Sequence, residues 1–312
     1  MATERNRALV QLFLREISEN RARVAFDLVA PAARITDLSR GLVSGRDDER
    51  ERFHRLRVAF PDLSIGDVRT VSENSKIGVA YVLRGTHRGP YQGIAPTGRP
   101  VETRCAALVR VADARIAEMS SVLEGRSVLR QIGVLASSAA GPSERPPPPE
   151  PEPAAVTSTF SPVTRETVRR FYADVVGRGD RAALDEITAP DVLDDPPPPL
   201  ARSTGREGLH HNLEMWRGAL DGWRVEVHDV LVQGESAFAH VSYSGHSRGE
   251  LLGFPATGRR IAWSALELFD VGGARIRSRQ PMLDALALVS QIGDPSTRHA
   301  GTLRLSVIGD DD

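Results

Sequence analysis

The sequence has one cysteine, one lysine, few aromatics and no long apolar run. A lone Cys105 excludes an intrachain disulfide, a cysteine-built zinc site and a CxxC redox pair. It sits in Arg104-Cys105-Ala106-Ala107-Leu108-Val109, a strand pattern, so a buried and unreactive thiol is expected. With Lys76 the only lysine, nearly all positive charge is arginine, which reflects composition rather than function. Nothing approaches the ~20 apolar residues of a membrane helix. The charged opening, MATERNRALVQLFLREI, has no apolar core of signal-peptide type. A cytoplasmic protein without membrane contact is the expectation. A formal net charge of −1 argues against a nucleic-acid partner. No HxH or HxxxH spacing occurs, and the neighbours His210 and His211 would diverge by about 100° on a helix. No metal and no cofactor are expected.

What the sequence does contain is one stretch written twice. Residues 84–133 align with 244–293 without a gap, at a constant offset of 160. Matched positions include Gly85/Gly245, Gly89/Gly249, Gly93/Gly253, Thr97-Gly98-Arg99/Thr257-Gly258-Arg259, Ala114-Arg115-Ile116/Ala274-Arg275-Ile276 and Gln131-Ile132-Gly133/Gln291-Ile292-Gly293. This is a tandem duplication. At 312 residues and 40% hydrophobic content, each copy can bury a core of its own. The expected division is a first domain over 1–137, a proline-rich tether over 138–162, a second domain over 163–295 and a tail over 296–312. Residues 1–138 carry 22 basic against 16 acidic side chains, a surplus of +6 that leaves −7 for the remainder. Opposite signs favour docking of the two domains.

Each copy opens with helical spacing and then changes period. Leu9, Val10, Phe13, Leu14 and Ile17 predict a first helix, and Arg21 to Val29 a second that stops at Ala30-Pro31. Phe53, Leu56 and Phe60 mark a third. Alternation from Leu63 onward then predicts successive strands, with Ser127 to Ile132 left as either strand or helix. The second copy repeats this order, with Ala189-Pro190 ending a helix and Asp194-Asp195 plus four prolines reading as a rigid loop. An alternating stretch over 302–308 suggests an extra strand. Helices followed by a run of strands mean an α+β unit, with helices laid on a curved mixed or antiparallel sheet around a pocket for a small molecule.

The residues Phe60-Pro61-Asp62-Leu63, Gly85-x-x-x-Gly89, Pro96-Thr97-Gly98-Arg99, Arg115-Ile116 and Gln131-Ile132-Gly133, with Gly245, Gly249, Gly253, Pro255-Ala256-Thr257-Gly258-Arg259, Arg275-Ile276 and Gln291-Ile292-Gly293 in the second copy, resemble the SnoaL-like polyketide cyclases. These are also known as ester cyclases, within the nuclear transport factor 2-like superfamily. The resemblance implies two tandem cone-shaped α+β barrels, each around an apolar pocket. It also implies secondary metabolism and intramolecular aldol closure of a ring, with an aspartate near the Gln-x-Gly end as general acid/base. Asp284 matches that aspartate.

Asp284 lies in an apolar run, where a carboxylate facing a pocket would have a raised pKa and could shuttle a proton. It could equally cap a helix beginning at Ala285. Glu124 holds its place in the first copy, one methylene longer, so the second copy is expected to carry the chemistry. Glu267, Trp263 and Phe269 share one side of a strand by alternation. Glu267 would hold a second proton there, unless that side faces solvent, and Trp263 and Phe269 would line the substrate. Asp194 and Trp216 complete the expected site, Asp194 at the pocket mouth or in a solvated loop. The function expected is cofactor-free acid/base cyclisation of a small apolar carbonyl compound. Epoxide opening on the same scaffold and a non-catalytic binding module are the alternatives. Members of the superfamily pair sheet to sheet, so the two copies are expected to form that pair within one chain. The chain should therefore be a monomer in solution; light scattering at twice the chain mass would count against it.

Overall fold

The computed structural model describes residues 2–135, 160–197, 200–252 and 254–293. Nearly all of the proline-rich tether and the stretch over 302–308 lie outside the described residues. In the first repeat, α1 (Ala2–Ser18) buries Val10, Phe13, Leu14 and Ile17 along one stripe, and α2 (Ala22–Asp27) buries Ala25 and Phe26. Then come β1 (Val29–Asp37), β2 (Leu42–Ser44), α3 (Arg46–Ala59), β3 (Ser64–Glu73), β4 (Lys76–Thr86), β5 (Pro100–Ala112), β6 (Arg115–Leu123) and α4 (Gly125–Gln131). The second repeat follows with α5 (Pro162–Arg170), a π-helical turn (Phe171–Arg178), α6 (Arg181–Ile187), β7 (Thr188–Asp194), β8 (Ser203–Thr204) and α7 (Gly205–Ala219). It ends with β9 (Leu220–Gln233), β10 (Ser236–Ser247), β11 (Arg260–Gly272), β12 (Arg275–Met282) and α8 (Ala285–Ile292).

Each repeat is an α+β unit with a six-stranded mixed sheet, ordered β2-β1-β6-β5-β4-β3 and β8-β7-β12-β11-β10-β9. The order is linear, so the cone is open and no barrel closes. Three of the long strand pairings in each sheet are antiparallel, while β1/β6 and β7/β12 run parallel. Those two parallel strands went unread in the sequence because Ala30-Pro31 and Ala189-Pro190 look like helix stops. The prolines fall where the ladder breaks register, between Val29 and Arg34 and between Thr188 and Leu193. Proline lacks the N–H of a regular ladder and is tolerated at such an irregularity. As a result Asp194, expected in a loop, is the last residue of β7. The undecided segment after β6 is the helix α4.

The two sheets stack on each other. Strand alternation sends odd-numbered β11 residues (Ile261, Ala265, Phe269) into the second repeat's own core, and Leu266 and Leu268 to the opposite face. There they meet Val71, Ala80, Ala106 and Val122 of the first repeat, with Leu231, Phe238 and Met282. Strands buried on both faces read as near-continuous apolar runs, which is what β11 is. Around this apolar patch run Arg69–Asp270 at 2.6 Å, Arg104–Asp195 at 2.6 Å, Lys76–Asp229 and Arg165–Glu73. Three of these pairs set a basic group of the first repeat against an aspartate of the second, as the charge imbalance of the sequence suggests. Two further bonds mirror each other: Ser72 N–H donates to Gln233 Oε1 and Val232 N–H donates to Glu73 Oε2, both at 2.8 Å.

Residues 160 apart are equivalent, so an equivalent pair in contact marks the pseudo-twofold axis. Gly78 and Phe238 are such a pair. The Phe238 ring fills the space a side chain at Gly78 would take; an added Cβ would lie 2.2 Å from Phe238 Cγ. Two phenylalanines would collide there and two glycines would leave a void, so divergence at this one position makes the two sheets complementary. Gly78→Ala should destabilise the chain by about 1–3 kcal/mol through overpacking. Adding Phe238→Ala should recover part of the loss in a double-mutant cycle by denaturant unfolding. Strictly additive losses would show that the two residues do not press on each other.

Candidate active site

Two carboxylates face the interior of the second repeat, and one arginine joins them. Arg279 of β12 donates from Nε to Glu267 Oε2 at 2.6 Å and from Nη2 to Oε1 at 3.0 Å. Its Nη1 donates to Asp194 Oδ1 at 2.9 Å. Register explains the meeting: Arg279 pairs with Asp194 on β7 and with Phe269 on β11, which puts Glu267 two residues along the same face. Tyr172 donates its hydroxyl to Glu267 Oε2 at 2.8 Å and Tyr243 to Oε1 at 2.7 Å. Glu267 therefore receives four donors and is wholly buried at 0% exposure. A buried charge survives only when paired in this way.

The electrostatics follow from burial. Desolvation pushes the Asp194 carboxyl above the usual range; Arg279 opposes that and Glu267 adds to it. Burial also raises both tyrosine hydroxyls well above their ordinary value. Burial works against the Arg279 charge, but Glu267 and Asp194 outweigh it and hold the proton on firmly. Two carboxylates around one guanidinium leave a negative charge uncompensated in an apolar interior, and Asp194 is the group where a proton relieves it.

Above this cluster is a cavity of about 50 Å³, lined by Asp194, Glu267, Arg279, Tyr243 and an aromatic wall of Trp216, Trp223 and Trp263. The chain's three tryptophans are all in that wall. Trp216 and Trp263 approach to 4.8 Å between ring centroids, and Tyr243 stacks on Trp263 at 5.2 Å. A widened helical turn helps to aim this wall. From Leu14 to Asn20 is six positions, while the matching Tyr172 to Gly179 is seven, and the extra residue makes the turn a π-helix. Trp223 Nε1 donates to the Val176 carbonyl of that turn at 3.0 Å, anchoring the indole.

Of the residues expected from sequence, Asp194, Glu267, Trp263 and Trp216 come together here. Phe269 does not line the cavity; it packs edge-on against Phe171 and Tyr172 in the core. Asp284 does not face this cavity either. It caps α8, its Oδ1 accepting from Leu286 N–H at 3.0 Å, with Gly125 of the first repeat beside it. The expectation that Asp284 carries the chemistry of this pocket does not fit that placement; the capping reading does. Glu124, its equivalent, is buried in the first repeat at the start of α4. Cys105 is buried, and desolvation pushes its thiol up.

Arg279, Tyr243, Tyr172 and Trp223 were not singled out from the sequence. Comparing the repeats position by position would have found most of them. Asp194, Glu267, Arg279, Tyr243 and Tyr172 correspond to Ile35, Ala107, Met119, Leu83 and Leu14 of the first repeat, by strand register, by the offset of 160 and by the helix pattern. All five counterparts are apolar and buried in the first repeat's core. The polar network is present as a whole in one repeat and absent as a whole from the other, as expected of groups that are costly unless every partner is there.

Among the described residues no group of three or more His, Cys, Asp or Glu could hold a metal ion, and no helix is long and apolar enough to cross a membrane. Asp284 has a pH signature of its own. Burial raises it to about 6, against N–H donors from Leu286 and Ala287, with Asp37 of the first repeat adding to the rise. A carboxyl raised on folding stabilises below its unfolded value of 3.8 and loses that contribution as pH rises towards 6. Asp284→Asn keeps a capping oxygen and removes the titration. Unfolding free energy should then fall less between pH 4 and 7 than in the parent, by roughly 2–3 kcal/mol. Equal pH slopes in both proteins would contradict this.

The SnoaL-like polyketide cyclase family model matches the chain twice, over residues 8–132 and 166–292. A search of curated proteins finds no match. Among solved structures, TsrD from Streptomyces laurentii is 26% identical, covering 43% of this chain and 98% of that one, with a TM-score of 0.39. IdmH from Streptomyces antibioticus is 24% identical, covering 41% and 98%, with a TM-score of 0.38. AclR from Streptomyces galilaeus is 19% identical, covering 44% and 87%, with a TM-score of 0.42. With both repeats matched over nearly their whole length, the chain belongs to the SnoaL-like polyketide cyclase family.

Proposed function

We propose that the second repeat performs cofactor-free acid/base chemistry on a small apolar carbonyl compound, an intramolecular aldol-type ring closure, with Asp194 moving the proton. The observation that carries this reading is a buried carboxyl with a raised pKa, opening on an aromatic-walled cavity and fixed by Arg279. Glu267 is a poorer choice, because both its oxygens already accept two donors each. Family membership supports cyclase or isomerase chemistry of this class.

In the step proposed, Asp194 takes a proton from the carbon next to one carbonyl. The resulting enolate carbon attacks a second carbonyl carbon of the same molecule. A carbon–carbon bond forms, the second carbonyl's π bond opens to an alkoxide, and the alkoxide takes the proton back from Asp194. No atom is gained or lost. A base whose pKa lies closer to neutrality serves both transfers better than an ordinary carboxylate. Arg279 supplies positive charge beside the carboxylate and holds its geometry, and the tryptophans exclude water from the enolate.

A second reading is epoxide opening by water, favoured by Asp194 and Glu267 sharing one guanidinium, which sets two carboxyls side by side in one cavity. The test uses the full chain with small aromatic or alicyclic β-dicarbonyl compounds that carry a further carbonyl far enough along the chain for an unstrained ring to close, on one side, and epoxides on the other. Asp194→Asn should lower kcat by at least about a hundredfold, the usual worth of a general acid/base. Asp284→Asn should leave it within a few fold of the parent. Turnover surviving in Asp194→Asn sinks the assignment, and turnover of epoxides alone selects the second reading.

A further inference from the structure

The residue that fixes the end of β7 belongs to the other repeat. Arg104 lies on β5, on the face turned towards the second sheet. Its Nη2 donates to Asp195 Oδ2 at 2.6 Å and its Nη1 to the Asp195 main-chain carbonyl at 3.0 Å. Both side chains are close to nine-tenths buried, with 12% and 11% exposure. Asp195 directly follows Asp194, and its N–H donates to the Arg279 carbonyl at 3.0 Å. Sheet pairing of β7 ends at Asp194. Holding Asp195 by side chain and carbonyl together fixes the peptide that leaves Asp194, and so the direction in which the Asp194 carboxyl enters the cavity.

The contact has no mirror image. The equivalents of Arg104 and Asp195 are Ser264, by the offset of 160, and Thr36, by strand register. Neither carries charge, so the second repeat cannot hold β1 as the first holds β7. Support runs one way, from the repeat whose polar network is replaced by apolar core to the repeat that has it. Other basic groups at the interface stand elsewhere. Arg69 bonds Asp270, whose other oxygen accepts from Ser278 at 2.8 Å on the face turned towards the first repeat.

We propose that Arg104 is a positioning residue for the cavity of the second repeat, and that the first repeat acts as a fixed clamp completing a site that it does not itself contain. This rests on the reading of Asp194 given above. Arg104 does not itself line the cavity; it bonds Asp195, where Arg202 of the second repeat also stands, 3.7 Å from Oδ1. The clamp thus acts on geometry rather than on the substrate.

Because every tryptophan lines the cavity, tryptophan fluorescence of the full chain, excited beyond the tyrosine absorption, reports on this site alone. The parent should show a fluorescence transition with pH as Asp194 titrates among Arg279, Glu267, Tyr172, Tyr243 and Asn212. Asp194→Asn should abolish it. In Arg104→Ala the released strand end lets water reach the carboxyl. The midpoint should fall by about half a pH unit or more towards the ordinary carboxylate range, a roughly threefold change in proton affinity, and acrylamide quenching should rise. Asp195→Asn, which keeps the side-chain shape but not the ion pair, also removes a negative charge next to Asp194 and lowers the midpoint for that reason alone; its readout is acrylamide quenching, which should rise as in Arg104→Ala and guards against misfolding of the arginine variant. Arg69→Ala, an interface ion pair away from the clamp, should leave midpoint and quenching at parent values. If Arg104→Ala titrates like Arg69→Ala and both clamp variants quench like it, while Asp194→Asn still abolishes the transition, the clamp is overturned and the site stands. A transition that persists in Asp194→Asn overturns the reading of Asp194 itself, and the clamp with it.

Discussion

A guanidinium in a protein interior has to be paired, and most of the second repeat's particular features follow from how Arg279 is paired. Its five donors need carboxylates on more than one side. Glu267 answers from the neighbouring antiparallel strand and Asp194 from the neighbouring parallel one, so the cluster exists only because β12 lies between β11 and β7. The remaining lone pairs on Glu267 call for further donors, and Tyr172 and Tyr243 provide them from the π-helical turn and from β10. Four elements are thus tied to one arginine. What remains unsatisfied is charge, since two carboxylates exceed one guanidinium. That excess sits on Asp194, at the cavity, where it can be relieved by a proton.

The first repeat shows what the same scaffold does without the arginine. With Met119 in its place there is no charge to answer, and Ile35, Ala107, Leu83 and Leu14 fill the corresponding space as ordinary core. Intermediate combinations would be costly: a buried Glu without Arg, or an Arg without carboxylates, leaves an uncompensated ion worth several kcal/mol. That cost accounts for why the two repeats differ at all five positions together. It also leaves the first repeat's sheet face free to be shaped by the second. Gly78 under Phe238 and Arg104 on Asp195 are two results of that freedom.

The fold was legible because its signals are local and repeated. Helical stripes such as Val10-Phe13-Leu14-Ile17, the alternation through β9 to β12, and two copies of one glycine and turn pattern are all readable one segment at a time. The parallel strands β1 and β7 were not, because Pro31 and Pro190 are punctuation in sequence and become bulge residues only when β6 and β12 lie alongside. The site was half legible. Glu267 and Trp263 followed from alternation on a single strand. Arg279 looked like one more arginine among many, since its partners stand 12 and 85 residues away in sequence. Asp284 drew attention by its apolar neighbours, but those neighbours bury it at the start of α8 and against the first repeat rather than in the cavity. An apolar context tells that a carboxyl is desolvated; it does not tell which side of the sheet desolvates it.

Duplication changes what a stacked pair of sheets can do. Two identical subunits must present the same residue at the axis and make every contact twice, so a contact useful to one site is imposed on the other. Within one chain that obligation lapses. The axis position becomes a ring against a glycine, and three of the four interface ion pairs given above sort by repeat, with Arg69, Lys76 and Arg104 on one side and Asp270, Asp229 and Asp195 on the other, Arg165–Glu73 running the other way. Part of this sorting would be repulsive in a homodimer of either repeat: by the offset of 160, Arg69 would face Arg110 in a pair of first repeats and Asp270 would face Asp229 in a pair of second repeats. The same substitutions that fit the two repeats together therefore also keep each from pairing with its own kind. Specificity of pairing and the apolar core of the first repeat then go together, because a repeat that carries no charged network can be fitted to its neighbour without disturbing one.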